Sequence, residues 1–331
     1  MDVARGARSA TAVLAETPPS GISALGTGRR RLGESALRVF PLAIGGNVFG
    51  FTADYAATTG ILNRYSEFGG NFIDTADSYA DGRSETMIGD WMRERGNRAE
   101  MVVATKVGKS AANPGVSESA ISRAVDASLR RLSTDYIDLL YLHTDDDSVP
   151  FEETLLAVDE QVRAGKVRYL GVSDHSGNRL IEARVVAAQL GLTPLVAVQS
   201  HYNLLHRWAY EGTLAQVAAA QRLGVMPRFA LAGGFLTGKY RSRADLARTK
   251  RDLPGKHLGR RSLKILESLD RIAAQQQHSV ATIALAWLLS KPGVVAPVAS
   301  ARVPQQVDDL VAVTEVQLTR HQVAELDRIS A

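Results

Sequence analysis

The stretch Asn71-Phe72-Ile73-Asp74-Thr75-Ala76-Asp77-Ser78-Tyr79 begins as an apolar, strand-like run and closes on a carboxylate and a phenol. A second run, Met101-Val102-Val103-Ala104-Thr105, ends on Lys106, and a third, Ile137 to Leu142, ends on His143. Runs rich in Val, Ile and Leu without polar alternation suit parallel strands buried on both faces. A carboxylate, a phenol, an ammonium and an imidazole at the ends of such strands match the way a parallel α/β barrel builds its active site.

Reading outward, strands are expected at Leu42–Ile44, Asn71–Asp74, Val102–Lys106, Ile137–His143, Tyr169–Val172, Ala197–Gln199, Val225–Pro227 and Val294–Val298. Between them, amphipathic spacing predicts helices over Ala53–Phe68, Glu85–Arg95, Ser117–Leu132, Phe151–Ala164, Asn178–Leu190, Tyr210–Leu223 and Thr282–Ser290. This alternation, with no break in composition, predicts a single α/β domain over residues 29–331, a (β/α)8 TIM barrel. A doubly wound sheet fits less well, because Gly45-Gly46-Asn47-Val48-Phe49-Gly50 is not a G-x-G-x-x-G fingerprint. Ser262–Gln276 and Thr319–Ser330 read as extra C-terminal helices outside the repeat. Residues 232–259 form a long connection, first Gly-rich and then basic, of the length that is usually functional. Residues 1–28, rich in Ala, Ser, Gly, Thr and Pro, read as a flexible N-terminal extension.

Composition narrows the function classes. The chain has 331 residues, 45% hydrophobic and 22% charged, ordinary for a globular protein. Its 39 basic and 35 acidic residues are interspersed and give a net charge of only +4, so nucleic acid is not an expected partner. There are no cysteines, which excludes disulfides, thiolate catalysis and Cys-ligated zinc. No apolar run approaches the roughly 20 residues needed to span a bilayer, so no membrane partner is expected and a cytoplasmic location is consistent. The cluster His143-Thr144-Asp145-Asp146-Asp147, with His175, His201 and His206 elsewhere, invites a metal reading. No H-x-H follows the first strand, and His143 has another use, so no metal is expected.

Taken singly, Asp74, Tyr79, Lys106 and His143 each have an ordinary structural use as a turn cap, packing ring or ion-pair partner. Together they suit proton transfer to a carbonyl oxygen. A free tyrosine ionises near pH 10, so as an acid it needs tuning. A neighbouring Lys stabilises tyrosinate, a carboxylate holds that Lys, and a His orients the carbonyl.

On these residues the chain resembles the aldo-keto reductases over about residues 30 to 330. The matching stretches include Arg31-Leu32-Gly33, Asn71 to Ala76, Ser84-Glu85 with Ile88-Gly89, Ala104-Thr105-Lys106, Asp135 to Leu139 and Ala164 to Arg168. Gly171-Val172-Ser173, Gly233 to Tyr240 and Ala299 to Arg302 continue the match in order. Gly45 to Gly50 and Gln199 to Asn203 look most similar to bacterial, actinomycete-like branches. The resemblance implies reduction of an aldehyde, ketone or keto-sugar by NADPH, with Tyr79 as the acid, Lys106 salt-bridged to Asp74 and His143 orienting the carbonyl. It implies that Ser173, Asp174 and Gln199 contact the nicotinamide carboxamide and that Gly46 and Asn47 approach the cofactor. Arg228, Phe229, Ala230, Leu231, Ala232, Gly233 and Lys239 fall in a loop covering the cofactor. Ser300, Arg302, Gln306 and Asp309 fall where the adenosine and its 2′-phosphate lie. Arg302 suits that phosphate by its forked donors, which favours NADPH/NADP+ over NADH.

Three positions depart from the family pattern. Asp174 stands where Asn is usual, Arg228 where an aromatic ring commonly stacks on the nicotinamide, and Leu310 where a polar residue is often found. A guanidinium can stack, pair with Asp174 or attract an anionic substrate group. Phe49 and Trp208 are candidate pocket walls. The competing reading is an NADPH-binding, redox-responsive protein of the potassium-channel β-subunit type. Such relatives can lack the tetrad His, and His143 favours the enzyme. The substrate and any homo-oligomer are left open.

Overall fold

The computed structural model describes residues 28–146, 148–247 and 254–331. The expected extension over residues 1–28 therefore falls, up to residue 27, outside the described residues. A short antiparallel hairpin, β1 (Arg30–Arg31) and β2 (Arg38–Val39), comes first. It is followed by eight strands of one sheet: β3 (Ala43–Gly45), β4 (Phe72–Asp74), β5 (Val102–Val107), β6 (Ile137–Leu142), β7 (Val167–Ser173), β8 (Leu195–His201), β9 (Gly224–Arg228) and β10 (Val298–Ala299). All neighbouring pairs are parallel, in the order β10-β3-β4-β5-β6-β7-β8-β9. The two ends are drawn together by the stretch before β10. Val225 N–H donates to Gly293 O at 2.9 Å, Val295 N–H to Val225 O at 2.9 Å, and Ala43 N–H to Pro297 O at 3.0 Å. The result is a nearly closed (β/α)8 barrel.

The helices are α1 (Tyr55–Glu67), α2 (Arg83–Arg95), α3 (Glu118–Leu132), α4 (Phe151–Arg163), α5 (Gly177–Leu190), α6 (Thr213–Ala220), α7 (Arg243–Ala247), α8 (Arg260–Gln276), α9 (Val280–Leu289), α10 (Gln305–Val311) and α11 (Arg320–Ser330). Their starts follow local chemistry. The side chains of Asp54, Ser176 and Ser279 accept backbone N–H groups in the first turns of α1, α5 and α9. Thr319 and Gln322 form a reciprocal capping box on α11.

Two apolar layers result. The larger core lies between sheet and helices and includes Ile73, Val103, Leu140, Val172, Trp91 and Trp287. A smaller one fills the barrel, with Phe72, Ala104, Leu139, Tyr141, Ala197 and Met226, and the hairpin adds Leu32, Leu37 and Val39 to it. The hairpin thus plugs the N-terminal end, and chemistry is left to the C-terminal ends of the strands.

Several boundaries differ from expectation. The last strand is Val298–Ala299, not Val294–Val298; Pro297 has no N–H to give a ladder, and Val294 makes only an isolated bridge to Val225. The helix expected over Tyr210–Leu223 is confined to Thr213–Ala220, between Gly212 at φ 113° and Arg222 at φ 55°. In the long connection the described parts are a short 3-10 segment at Ala232–Thr237, α7 and a second 3-10 turn at Pro254–His257. Residues 248–253 of it lie outside the described residues.

Candidate active site

Asp74 is the last residue of β4, Lys106 lies near the end of β5, and His143 directly follows β6, its N–H bonded to Val107 O at 2.9 Å. Tyr79 opens a tight turn in which Ala80, Asp81 and Gly82 all have left-handed φ, at 51°, 55° and 86°. Two non-glycine residues in that conformation cost on the order of 1–3 kcal/mol each. The turn swings the chain directly from Tyr79 into α2.

The four side chains meet. Lys106 is completely buried, and its Nζ donates to Asp74 Oδ2 at 2.6 Å and to Thr75 O at 2.8 Å. Gln199 Nε2 donates to the other carboxylate oxygen of Asp74 at 2.8 Å. The Lys106 ammonium lies 5.1 Å from the centre of the Tyr79 ring, and the His143 ring stands edge-on to Tyr79 at 6.1 Å and 80°.

Electrostatics assign the protons. Burial alone would pull the Lys106 ammonium down, but Asp74 and Tyr79 outweigh it and hold Lys106 above its ordinary value. The Tyr79 phenol is raised, chiefly by burial, with Lys106 pulling the other way and Asp74 adding to the rise. Lys106 therefore lowers the cost of tyrosinate as expected but does not bring the phenol below its ordinary value, because desolvation is the larger effect. His143 is pushed down to about 2 by burial and by the nearby cations Lys106, Lys109 and Arg228. Its imidazole is neutral, and its buried Nδ1 has no hydrogen-bond partner. The site offers a protonated phenol over a fixed cation, beside a neutral imidazole that can donate one N–H.

The residues expected to meet a cofactor lie at or just beyond the C-terminal ends of β3, β7, β8, β9 and β10, the last of them on α10. A Cβ on Gly46 would stand 2.7 Å from Ser84 Oγ, so glycine there avoids a displacement of that hydroxyl. Asn47 Oδ1 accepts from Ser300 Oγ at 2.6 Å, which joins the loops after β3 and β10. The Ser173 hydroxyl at the end of β7 is buried without a partner. Beyond β9 the backbone is left-handed at Phe229, Ala232, Gly233 and Gly234, whereas Ala230 is buried and Leu231 packs on the core. Lys239 is exposed, with its Nζ 5.2 Å from the Tyr240 ring. Gln306 Oε1 accepts the Arg302 backbone N–H at 2.9 Å, and Thr282 Oγ1 donates to Asp309 O at 2.7 Å. Helix α9 touches both groups, since a Cβ on Gly238 would sit 3.5 Å from Val280 and Thr282 holds Asp309. Neither Lys239 nor the Arg302 guanidinium pairs with a carboxylate among the described residues. The orphaned Ser173 hydroxyl, the close-approach position at Gly46 and these two unpaired cations fit a polyanionic dinucleotide.

The departures have structural consequences. Arg228, the end of β9, forks onto Asp174 with bonds of 2.9 and 2.7 Å, so both are engaged with each other. Lys109 Nζ lies 4.0 Å from the same carboxylate, a contact that sequence reasoning missed although Lys109 leaves the strand that carries Lys106. Asp174 itself is left-handed, at φ 60°. Leu310 is buried in the core. Phe49 is not a pocket wall: it is fully buried and packs with the apolar core. Trp208, in contrast, is 78% exposed.

Of the acidic cluster, Asp145 is gripped by Arg179 at 2.8 and 2.7 Å and Asp146 accepts from Ser148, while Asp147 lies outside the described residues. Two further acids, Asp77 and Glu85, are buried in the segment that leads from β4 into α2. Glu85 accepts from Thr105 Oγ1 and from Arg131, whereas the buried Asp77 carboxylate has no side-chain hydrogen-bond partner and only the backbone N–H groups of Ser78 and Gly108 near it. Burial, with Glu85 adding to it, pushes Asp77 up to about 7.

Comparison with known proteins adds a second line of observation. A profile of the Aldo/keto reductase family matches residues 41–331. The chain is 31% identical to norsolorinic acid reductase of Aspergillus flavus, over 94% of this chain and 83% of that protein. It is 35% identical to the uncharacterized oxidoreductase YrpG of Bacillus subtilis, over 87% of this chain and 91% of the relative. It is 33% identical to a probable voltage-gated potassium channel subunit beta of rice, Oryza sativa subsp. japonica, over 91% and 95% respectively.

Proposed function

The chain belongs to the aldo/keto reductase family and is an oxidoreductase, and we propose that it reduces an aldehyde, ketone or keto-sugar with NADPH, using Tyr79 as the general acid. The observation that carries this reading is the buried Lys106–Asp74 pair, 2.6 Å long, beneath a protonated Tyr79 and beside a neutral His143. Bound at the strand ends, NADPH would supply the hydride. Ser173 and Gln199 with Gly46 and Asn47 would hold its nicotinamide end. The backbone from Arg228 through Phe229, Ala230, Leu231, Ala232 and Gly233, together with Lys239, would follow its pyrophosphate. Ser300, Arg302, Gln306 and Asp309 would hold the adenosine, with Arg302 on the 2′-phosphate. Asp174, tied to Arg228, has a carboxylate where an amide is usual and would contribute less to the carboxamide.

The chain's own groups then act in order. His143 donates its N–H to the carbonyl oxygen and turns the carbon inward. Tyr79 gives its phenolic proton to that oxygen as negative charge develops there. Lys106 stabilises the tyrosinate left behind, and Asp74 with Gln199 keeps Lys106 aimed. A single barrel domain from residue 29 and a cytoplasmic location belong to the same reading. So does an actinomycete-like branch, which rests only on Gly45 to Gly50 and Gln199 to Asn203; the relatives reported above are fungal, bacterial and plant proteins.

The test is NADPH oxidation followed over a panel of aldehydes, diketones and nucleotide-linked keto-sugars. Tyr79→Phe should lower turnover about 10²–10⁴-fold, the usual worth of a positioned acid, while NADPH still binds. Unchanged turnover would remove Tyr79 from its role. The likeness to channel β-subunits supports a second reading, a slow NADPH-binding partner protein. Turnover that stays far below one per second across the whole panel, with tight NADPH binding, would favour it.

A further inference from the structure

The outer rim of the site carries a row of rings whose side chains have no part in the proposed proton transfer or cofactor contacts. Strands β8 and β9 end side by side on His201 and Arg228, which are register partners. The His201 ring stacks on His206, with centroids 3.8 Å apart and planes 13° from parallel. Trp208 lies 4.6 Å from His206, and Phe229 lies 5.0 Å from His201. The Arg228 guanidinium sits 4.7 Å over Phe229, and its charge is felt at both His143 and Tyr79. The row therefore runs from solvent to the edge of the catalytic group.

Resting on the reductase reading, we propose that the row Trp208–His206–His201–Phe229 is a stacking subsite that selects carbonyl substrates with an extended, planar aromatic body. Three properties support it. The outer surface is apolar and open, with Trp208 78% and Phe229 39% exposed, so a flat ligand covering them removes apolar area from water. The imidazoles are uncharged near neutral pH, His201 pushed down to about 4 by burial and then by His206 and Arg228, and His206 lowered by burial and Arg228. They stack as neutral rings without like-charge repulsion, and the row meets solvent through Trp208 and Phe229. The loop is also fixed in advance. Arg207, between His206 and Trp208, forks onto Glu211 at 2.8 Å twice and donates to Asp327 O at 2.6 Å and Ser330 Oγ at 2.9 Å, so little ordering is left for a ligand to impose.

The experiment compares kcat/KM for 2-naphthaldehyde and cyclohexanecarbaldehyde at saturating NADPH in the full chain. The naphthyl-to-cyclohexyl ratio should fall about tenfold in Trp208→Ala and His206→Leu and stay within about twofold of wild type in Trp208→Phe and His206→Phe. A ratio unmoved by the Ala and Leu changes overturns the proposal. Equal losses for both aldehydes, accompanied by a weaker NADPH Kd, also overturn it and assign the rings to the cofactor. Calorimetric binding of 2-naphthalenemethanol against cyclohexylmethanol separates the two readings. If neither aldehyde is reduced, the reductase reading fails; the subsite still stands if wild type prefers the naphthyl alcohol and Trp208→Ala does not, and falls otherwise.

Discussion

Lys106 has no exposed surface, and an unpaired ammonium there would cost several kcal/mol. Asp74 removes most of that cost, and Gln199 occupies the remaining carboxylate oxygen, so the pair has one geometry and the charge beneath Tyr79 is fixed before substrate arrives. The cation at Arg302 is different in kind. Its guanidinium is half-buried and unpaired among the described residues, so its worth depends on what binds. If it meets a 2′-phosphate, Arg302→Ala should weaken NADPH by roughly 1.5–3 kcal/mol, the range for a charge-assisted hydrogen bond. NADH, which lacks that phosphate, should bind nearly as before. Fluorescence titration of both cofactors reads the difference, and equal losses would take Arg302 away from the phosphate.

At the scale of elements, α11 shows how a peripheral helix bears on the site. It begins with the Thr319–Gln322 capping box, pairs Glu325 with Arg271 of α8, accepts the Trp287 indole N–H on Asp327, and anchors Arg207 in the loop of rings. Thr319→Ala removes one cap and should cost about 1 kcal/mol. A urea midpoint unchanged by it would mean that tertiary contacts alone hold the helix. The barrel strands and long helices could be read from the sequence to within a few residues, because buried parallel strands are continuous apolar runs and α8 or α11 alternate faces at helical period. The hairpin at 30–39 and α10 could not. Two-residue strands and a seven-residue helix are too short for periodicity to register. Within the site the same division holds. Asp74, Lys106 and His143 were legible because each closes an apolar run, and Tyr79 because it stands five residues beyond Asp74 in the turn that follows one. The Arg228–Asp174 fork was legible only as a possibility, since it joins the end of β9 to the residue that follows β7, 54 positions away. The ring stack and the buried carboxylate of Asp77 depend on packing that no local pattern encodes.

For the whole molecule, the buried titrating groups oppose one another as pH falls. His143 and His201 stand at about 2 and about 4 in the folded chain, against an ordinary 6.5. Between about pH 6.5 and 4 the unfolded chain binds protons on both and the folded chain on neither. Stability therefore rises with pH across that window and is lost on acidification. Asp77 works the other way: at about 7 against an ordinary 3.8, it is protonated in the folded chain and ionised in the unfolded one over nearly the same range. Among these three groups, two protons against one leave a net loss of about 1.4 kcal/mol per pH unit before solvent at the half-open mouth reduces it, and the buried His175, also held below its ordinary value by burial, adds to the loss. Over two units this is a large share of the roughly 5–15 kcal/mol that holds a typical protein folded. Urea midpoints measured from about pH 7 to 4.5 should therefore fall. Asp77→Asn sharpens the expectation, because it deletes the opposing group. At about pH 8, where both chains ionise Asp77 and burial of the carboxylate outweighs the backbone N–H groups near it, the variant should be the more stable protein. Toward pH 4.5 that advantage should disappear and its midpoint should drop more steeply than that of wild type. Parallel pH profiles for the two proteins would show that Asp77 is solvated in solution and carries no buried charge.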